Sequence, residues 1–254
     1  MSKMIDSIYN IRHLDELAAE KTIIHKMNPV VKLLVTIAYI IFVVSFGKYE
    51  ITALIPYVFY PVIIFALSEI PFLKIINRVL IAMPFIIGIG IINPLFDNRG
   101  WISFASLVIK FSLTVTAGLL LIATTGIDKI AAALRKLFVP KIFVTQLLLT
   151  YRYISVLLEE AARIIKAYQL RAPLEKGVSL KASGSLLGQM LLRAFDRANR
   201  VYNAMVLRGF NGEYNFGVDN KLSTISILYL LLWASFFIAA RLYNIPKLLE
   251  RVIM

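Results

Sequence analysis

Two arginines stand at the ends of long amphipathic stretches, where their chemistry can be offered to a partner. The first lies in Ala167-Tyr168-Gln169-Leu170-Arg171-Ala172-Pro173. Pro173 cannot continue a helix and drives Ala172 out of the helical region, so Arg171 falls in a last turn. The second lies in Asn203-Ala204-Met205-Val206-Leu207-Arg208-Gly209-Phe210. Gly209 can take the left-handed conformation that closes a helix, which puts Arg208 at a second C-terminus. The helix macrodipole alone favours a cation there, by a few tenths to about 1 kcal/mol. The other reading is recognition. A planar guanidinium can engage a carboxylate through two parallel hydrogen bonds, and two such tips on one cytoplasmic face form a bivalent plug for acidic grooves on another protein. Spacing alone is compatible with both readings.

Residues for covalent, metal or acid–base chemistry are scarce. The chain has no cysteine, and its two histidines are His13 and His25. That leaves no donor cluster for a transition metal. His25 precedes the first apolar run and reads as a surface or interfacial residue. Gly47-Lys48 is followed by Tyr49 and lacks the rest of a phosphate loop, so any ATP involved is bound by another chain. Gly88-Ile89-Gly90 reads as packing or bending inside an apolar run. No nucleophile triad and no paired carboxylates fall within the apolar runs, which argues against an intramembrane hydrolase. Lys110 reads as a lysine reaching the nearer membrane surface rather than as a relay. Lys110 and Asn93 are the only weak candidates for a polar pathway.

The elements that must position the arginines follow from composition. Of the 254 residues, 59% are hydrophobic and 17% charged, and mean hydropathy is +0.76. An ordinary soluble domain carries about a quarter charged residues. The apolar residues fall in continuous runs, which predict helices rather than alternating barrel strands. Five runs approach bilayer length: Val30–Gly47, Ile51–Ser68, Val79–Phe96, Trp101–Gly126 and Leu222–Ala240. Pro84 predicts a bend in the third. The first 29 residues lack the pattern of a cleaved signal, so the first run is expected to stay as an anchor.

The net charge of +13 fits cytoplasmic loops and anionic lipid better than nucleic acid. With the N-terminus in the cytoplasm, Glu69–Arg78 and the long basic segment Ile127–Lys221 face inward. The charges Arg241, Lys247 and Arg251 of the tail oppose that orientation. The fold class expected is therefore an all-α membrane protein, with about five transmembrane helices and long amphipathic cytoplasmic helices. Its parts are a cytoplasmic N-terminal segment (1–29), helices 1–4 (30–126), a cytoplasmic coupling region (127–221), and a last span with its tail (222–254).

The coupling region carries two long helical patterns. From near Phe143 to Arg171, Tyr151, Ile154, Leu158, Ala161, Ile165 and Tyr168 share a side, with Glu159 and Arg163 as an i, i+4 pair. From Leu187 to Met205, Leu187, Met190, Leu191, Ala194, Ala198, Val201 and Met205 share one face, while Arg193, Asp196, Arg197 and Arg200 occupy the other. Asp196 and Arg200 are a second i, i+4 pair. A shorter stretch near Ile127–Phe138 ends at Pro140.

Three segments of this chain resemble the transmembrane T component of energy-coupling factor transporters, the EcfT family, and within it the cobalt/nickel branch, CbiQ. One is Tyr151-Arg152-Tyr153-Ile154-Ser155-Val156-Leu157-Leu158-Glu159-Glu160, leading to Arg171. The most specific runs from Gly188 to Gly212 through Leu191-Leu192-Arg193-Ala194-Phe195-Asp196-Arg197-Ala198-Asn199-Arg200. The third is Ile5-Asp6 with the later Asn28-Pro29-Val30-Val31-Lys32-Leu33-Leu34.

The family has two short Ala-Arg-Gly-like signatures that dock on two ATPase subunits. Carried over by position, they fall on Leu170-Arg171-Ala172 and Leu207-Arg208-Gly209. Leu replaces the usual Ala in both, and Ala172 replaces Gly in the first. The resemblance thus implies coupling through Arg171, Ala172, Arg208 and Gly209. Support comes from Arg152, Glu159, Arg193, Asp196, Arg197, Arg200 and Met205, with small or apolar residues such as Ala194, Ala198 and Met205 facing a membrane partner or the bilayer. It implies a non-catalytic scaffold in a prokaryotic inner membrane, holding a substrate-binding S component (CbiM-like in the metal branch). ATP and Mg would be bound by the ATPases and no cofactor by this chain. A vitamin-type S component, or a stand-alone secondary transporter or channel, stays open as an alternative.

Overall fold

The computed structural model describes residues 18, 20, 22, 24–96, 99–172, 178–212 and 223–243. Among these residues all regular elements are helical. They are α1 (Pro29–Val44), a 3-10 segment (Thr52–Val58), α2 (Phe59–Ser68), α3 (Phe72–Gly90), α4 (Asn93–Phe96), α5 (Gly100–Thr125), α6 (Ile127–Lys136), α7 (Lys141–Arg171), α8 (Leu180–Leu207) and α9 (Thr224–Tyr243). The described residues form two compact units, 18–133 with 223–243, and 134–212.

Four helices are long and apolar enough to cross a membrane: Phe72–Gly90, Gly100–Thr125, Lys141–Arg171 and Thr224–Leu242. Three of them coincide with expected spans. The other two expected spans are shorter. Helix α1 has 16 residues, about 24 Å at 1.5 Å per residue, against a hydrocarbon core of about 30 Å. The run Ile51–Ser68 breaks into the 3-10 segment, with Pro56 inside it, and the 10-residue α2. Helix α3 begins at Phe72 rather than Val79, so Lys74 and Arg78 sit in its first turns and not in a loop. It runs through Pro84 to Gly90 as one helix. Helix α7 also meets the length and hydropathy condition, although its sequence reads as an amphipathic helix outside the bilayer. Its apolar stretch ends near Leu158, where Glu159 and Glu160 begin a charged half.

In the first unit, helix α1 starts at a defined cap. The Asn28 Oδ1 accepts from the Val30 N–H at 2.9 Å, and Pro29 supplies the fixed φ suited to a first helical position. The Asn28 N–H donates to Ser226 Oγ at 3.2 Å, tying this end to the start of α9. Buried aromatic rings fill the interior between α1, the 3-10 segment, α2 and α9. Tyr39 stacks on Tyr60 with centroids 4.5 Å apart, and Tyr60 meets Trp233 edge-on at 4.8 Å. A buried tyrosine needs a partner for its hydroxyl. The Tyr39 hydroxyl donates to the Tyr57 carbonyl at 3.1 Å, and the Tyr57 hydroxyl donates to the Phe237 carbonyl at 3.0 Å.

Helix α5 packs against α1, α2, α3 and α4. Two glycines permit close approach around it. A Cβ on Gly90 would lie 2.8 Å from Phe104, so this glycine serves packing between α3 and α5. A Cβ on Gly100 would lie 2.2 Å from the Pro94 Cα, so only glycine fits where α4 turns into α5. Asn93 belongs to that turn. It begins α4 and lies outside a spanning helix, contrary to its expected place within Val79–Phe96.

Candidate functional site

In the second unit, α7 and α8 pack together as an antiparallel pair. Contacts between them run in opposite sequence order. Next to the connection, the Tyr168 hydroxyl and Ser179 Oγ are 3.3 Å apart. Midway, Glu160 meets Arg193 at 2.7 Å. At the far end, a Cβ on Gly212 would lie 3.9 Å from the Lys141 side chain. Ser179 starts α8 by accepting from the Ala182 N–H at 3.2 Å, an ordinary N-cap.

Arg208 occupies the tip of α8. Gly209 has φ +83°, the Gly209 N–H donates to the Val206 carbonyl at 2.9 Å, and the Phe210 N–H donates to the Met205 carbonyl at 3.0 Å. These two bonds together make a Schellman motif, which satisfies carbonyls the helix leaves open. The left-handed closure expected of Gly209 is therefore present. Arg171 is the last residue of α7, and the Ala172 N–H donates to the Tyr168 carbonyl at 2.9 Å. Ala172 has φ −126°, so this helix ends without a left-handed residue at that position. Pro173 lies outside the described residues.

Both tips are exposed, and each carries a leucine beside its arginine. Leu170 is 75% and Leu207 89% exposed. Among the described residues, neither arginine side chain makes an ion pair or a hydrogen bond. Because α7 and α8 are antiparallel, their C-termini lie at opposite ends of the pair. The 28 residues of α8 separate the two tips by about 42 Å at 1.5 Å per residue.

Glu160 is the carboxylate that joins the two helices. Its oxygens accept from Arg163 at 3.0 Å and Arg193 at 2.7 Å, with Arg197 at 4.0 Å. In place of the expected Glu159–Arg163 pair, Arg163 forms an i, i+3 pair among the described residues with Glu160, the carboxylate that also meets the α8 arginines. The hydrogen bond from Arg193, reinforced by the charges of Arg163 and Arg197, holds the Glu160 carboxyl below the usual carboxylate range. No ion pair joins Asp196 to Arg200 among the described residues. Both instead line a polar hollow with Glu160, Arg193 and Arg197. Arg152 and Glu159 are exposed on α7. Ala194, Ala198 and Met205 line a groove against α7, whereas Leu187 and Leu191, expected on the same face, are 65% and 71% exposed. Glu160 escaped the sequence reading because adjacent carboxylates differ only by 100° around a helix, and nothing local says which one faces a neighbour.

Two further expectations concern the apolar unit. His25 is buried, at 5% exposure, rather than at a surface. The adjacent Ile24 inserts into the core and carries the turn inward, where His25 Nδ1 lies 2.6 Å from Thr22 Oγ1. His13 lies outside the described residues. Lys110 lies inside α5 and reaches the end of α1: its ammonium donates to the Phe46 carbonyl and, at 3.3 Å, to the Gly47 carbonyl. Among the described residues no three His, Cys, Asp or Glu side chains come together as a metal site.

The model of the cobalt transport protein family, CbiQ, matches residues 20–217, which include α7, α8 and both arginine tips. The chain belongs to the CbiQ family. Membership and the apolar helices make it an integral membrane protein of a transport family. Relatives include an uncharacterized protein of Methanocaldococcus jannaschii, 26% identical over 65% of this chain and 64% of its own length. The cobalt transport protein CbiQ of Rhodobacter capsulatus is 31% identical over 43% of this chain and 45% of its own. The nickel permease LarQ of Lactiplantibacillus plantarum is 29% identical over 36% and 33%. The CbiQ-family chain therefore spans from about a third to just under two thirds of the lengths of these relatives.

Proposed function

We propose that this chain is the membrane scaffold of an ATP-driven importer of the energy-coupling factor type, carrying movement from two ATPase subunits to a substrate-binding membrane component. One observation carries the reading furthest: two exposed Leu-Arg tips stand at opposite ends of one antiparallel helix pair, with neither guanidinium in an ion pair or hydrogen bond among the described residues. Macrodipole stabilisation accounts for the position of each arginine, and the exposed leucine beside it offers an apolar contact to the same partner. An acidic groove with an apolar floor would bind both groups, the guanidinium by paired hydrogen bonds and the leucine by burial.

The proposed cargo is a divalent transition-metal ion, a reading supported by two relatives, one named for cobalt and one for nickel. It would be bound by the partner membrane component. ATP and Mg would be bound by the ATPases, and the scaffold itself would catalyse nothing. Helices α7 and α8 would lie on the cytoplasmic side, with the charged half of α7 and the tips turned toward the ATPases.

The test is the variant Arg171→Ala/Arg208→Ala expressed with its genetic neighbours. It should insert and retain the membrane partner, but lose the ATPases on affinity capture and lose ATP-dependent cobalt or nickel uptake. Undiminished uptake would sink the proposal. Metal uptake by the purified chain alone in liposomes would point to a stand-alone transporter instead.

A further inference from the structure

A groove of about 390 Å³ runs between α7 and α8. Its walls are apolar along most of their length, with Leu149, Ile154, Leu157, Val201 and Met205 among the lining residues. At one end, Leu157, Ala194 and Arg197 also line the polar hollow that contains Arg193 and Arg200. The two spaces therefore join into one amphiphilic site. Arg193 is committed to Glu160 at 2.7 Å. Arg197 stands 4.0 Å from it with 37% of its side chain exposed, and Arg200 makes no ion pair among the described residues.

We propose that this groove binds an anionic phospholipid, with one acyl chain along the apolar walls and the phosphate between Arg197 and Arg200. Three features select that occupant. A single slender apolar chain fits the space, whereas one turn of a helix about 10 Å across would fill it. Three arginines against Glu160 and Asp196 leave the mouth net basic, which favours a headgroup of net negative charge over a zwitterionic one, whose phosphodiester is the same but whose own cation cancels the attraction. The helices that form the groove also expose Ile142 at 72%, Phe143 at 68%, Leu191 at 71% and Phe195 at 66%, a surface suited to the bilayer from which the lipid would come.

Photoactivatable-acyl phosphatidylglycerol and the corresponding phosphatidylcholine test this in nanodiscs containing the full chain. Labelled peptides are mapped by mass spectrometry. Phosphatidylglycerol should label residues 149–157 and 198–205, and phosphatidylcholine should label them far less. Arg197→Ala/Arg200→Ala should reduce that labelling about tenfold. Val201→Trp, which fills the groove, should abolish it. Lys136→Ala/Lys166→Ala removes equal charge elsewhere on α6 and α7 and should leave it unchanged. Equal labelling by both lipids, or labels confined to other segments, would overturn the proposal. So would a groove protected by a co-purified protein. The readout involves no ATPase, so a negative result leaves the coupling function untouched, and failed coupling leaves this site standing.

Discussion

Lys32 on α1 and Lys110 on α5 cap each other's helices. Lys32 Nζ donates to the Thr124 carbonyl at 2.8 Å, in the last turn of α5. Lys110 Nζ donates to the Phe46 and Gly47 carbonyls just past the end of α1. The spacing is reciprocal: 14 residues separate Lys32 from Phe46 and Lys110 from Thr124, about 21 Å along each helix. Lys32 meets a carbonyl that the α5 C-terminus leaves open, and Lys110 meets carbonyls one and two residues beyond the Ser45 cap of α1, each cation near the negative end of a macrodipole. The two lysines thus set the register of an antiparallel pair and lie near its opposite ends.

Replacing Lys32 with Met should therefore destabilise the protein. A buried carbonyl loses a charged donor, a loss of roughly 1–3 kcal/mol. Thermal unfolding in mild detergent would show it as a lower midpoint. An unchanged or higher midpoint would mean that burying the ammonium costs as much as the bond contributes.

Gly100→Ala should be far more harmful than Gly88→Ala. The first places a Cβ 2.2 Å from the Pro94 backbone, while the second meets nothing within 4 Å. Backbone cannot yield cheaply, so the yield of folded, monodisperse protein should fall sharply for Gly100→Ala only. Comparable yields for both would refute the close approach of α4 to α5.

The α8 tip can be perturbed without touching Arg208. Gly209→Ala forces a Cβ into left-handed backbone, which costs roughly 1–2 kcal/mol, whereas Asn tolerates that conformation better. On the coupling reading, metal uptake by the chain together with its proposed partners should drop for Gly209→Ala and recover in part for Gly209→Asn. Equal activity of the two variants and the parent would show that tip geometry does not matter for coupling.

Glu160 gives a pH signature. Its carboxyl titrates below the usual carboxylate range in the folded chain. Its contribution to α7–α8 pairing is accordingly complete above the unfolded value of about 4.3 and lost as pH falls through the lowered folded value. The cysteine-free sequence lets spin labels be placed at will. A label pair across α7 and α8 should report one distance from pH 8 to 5 and a broadened one at lower pH. Glu160→Gln should show the broadened distribution at every pH. Identical traces for parent and variant would remove Glu160 from that role.

What could be read from the sequence follows the range of the forces involved. Gly209 and Pro140 are punctuation that acts within a few residues, and the helix limits they imply agree with α8 and the start of α7. The start of α3 was misplaced by seven residues because Lys74 and Arg78 look like loop charges when only hydropathy is counted. The continuous run Ile51–Ser68 hid a change from 3-10 to α geometry. Lys32 and Glu160 depend on what lies across the fold, 92 residues away for the Lys32–Thr124 bond and 33 for Glu160–Arg193, and no local pattern marks them. Arg171 and Arg208 were legible because both are helix ends.

The placement of those ends at the two extremes of a single antiparallel pair has a consequence for assembly. Two weak contacts borne about 42 Å apart on one body act multiplicatively once both can be engaged together, because the second closes at high effective concentration. A lone ATPase subunit would hold one tip and leave readily, whereas a pair presenting two matched grooves at that spacing would stay. On the coupling reading, the chain would therefore select for the dimeric state of its motor before any metal is moved.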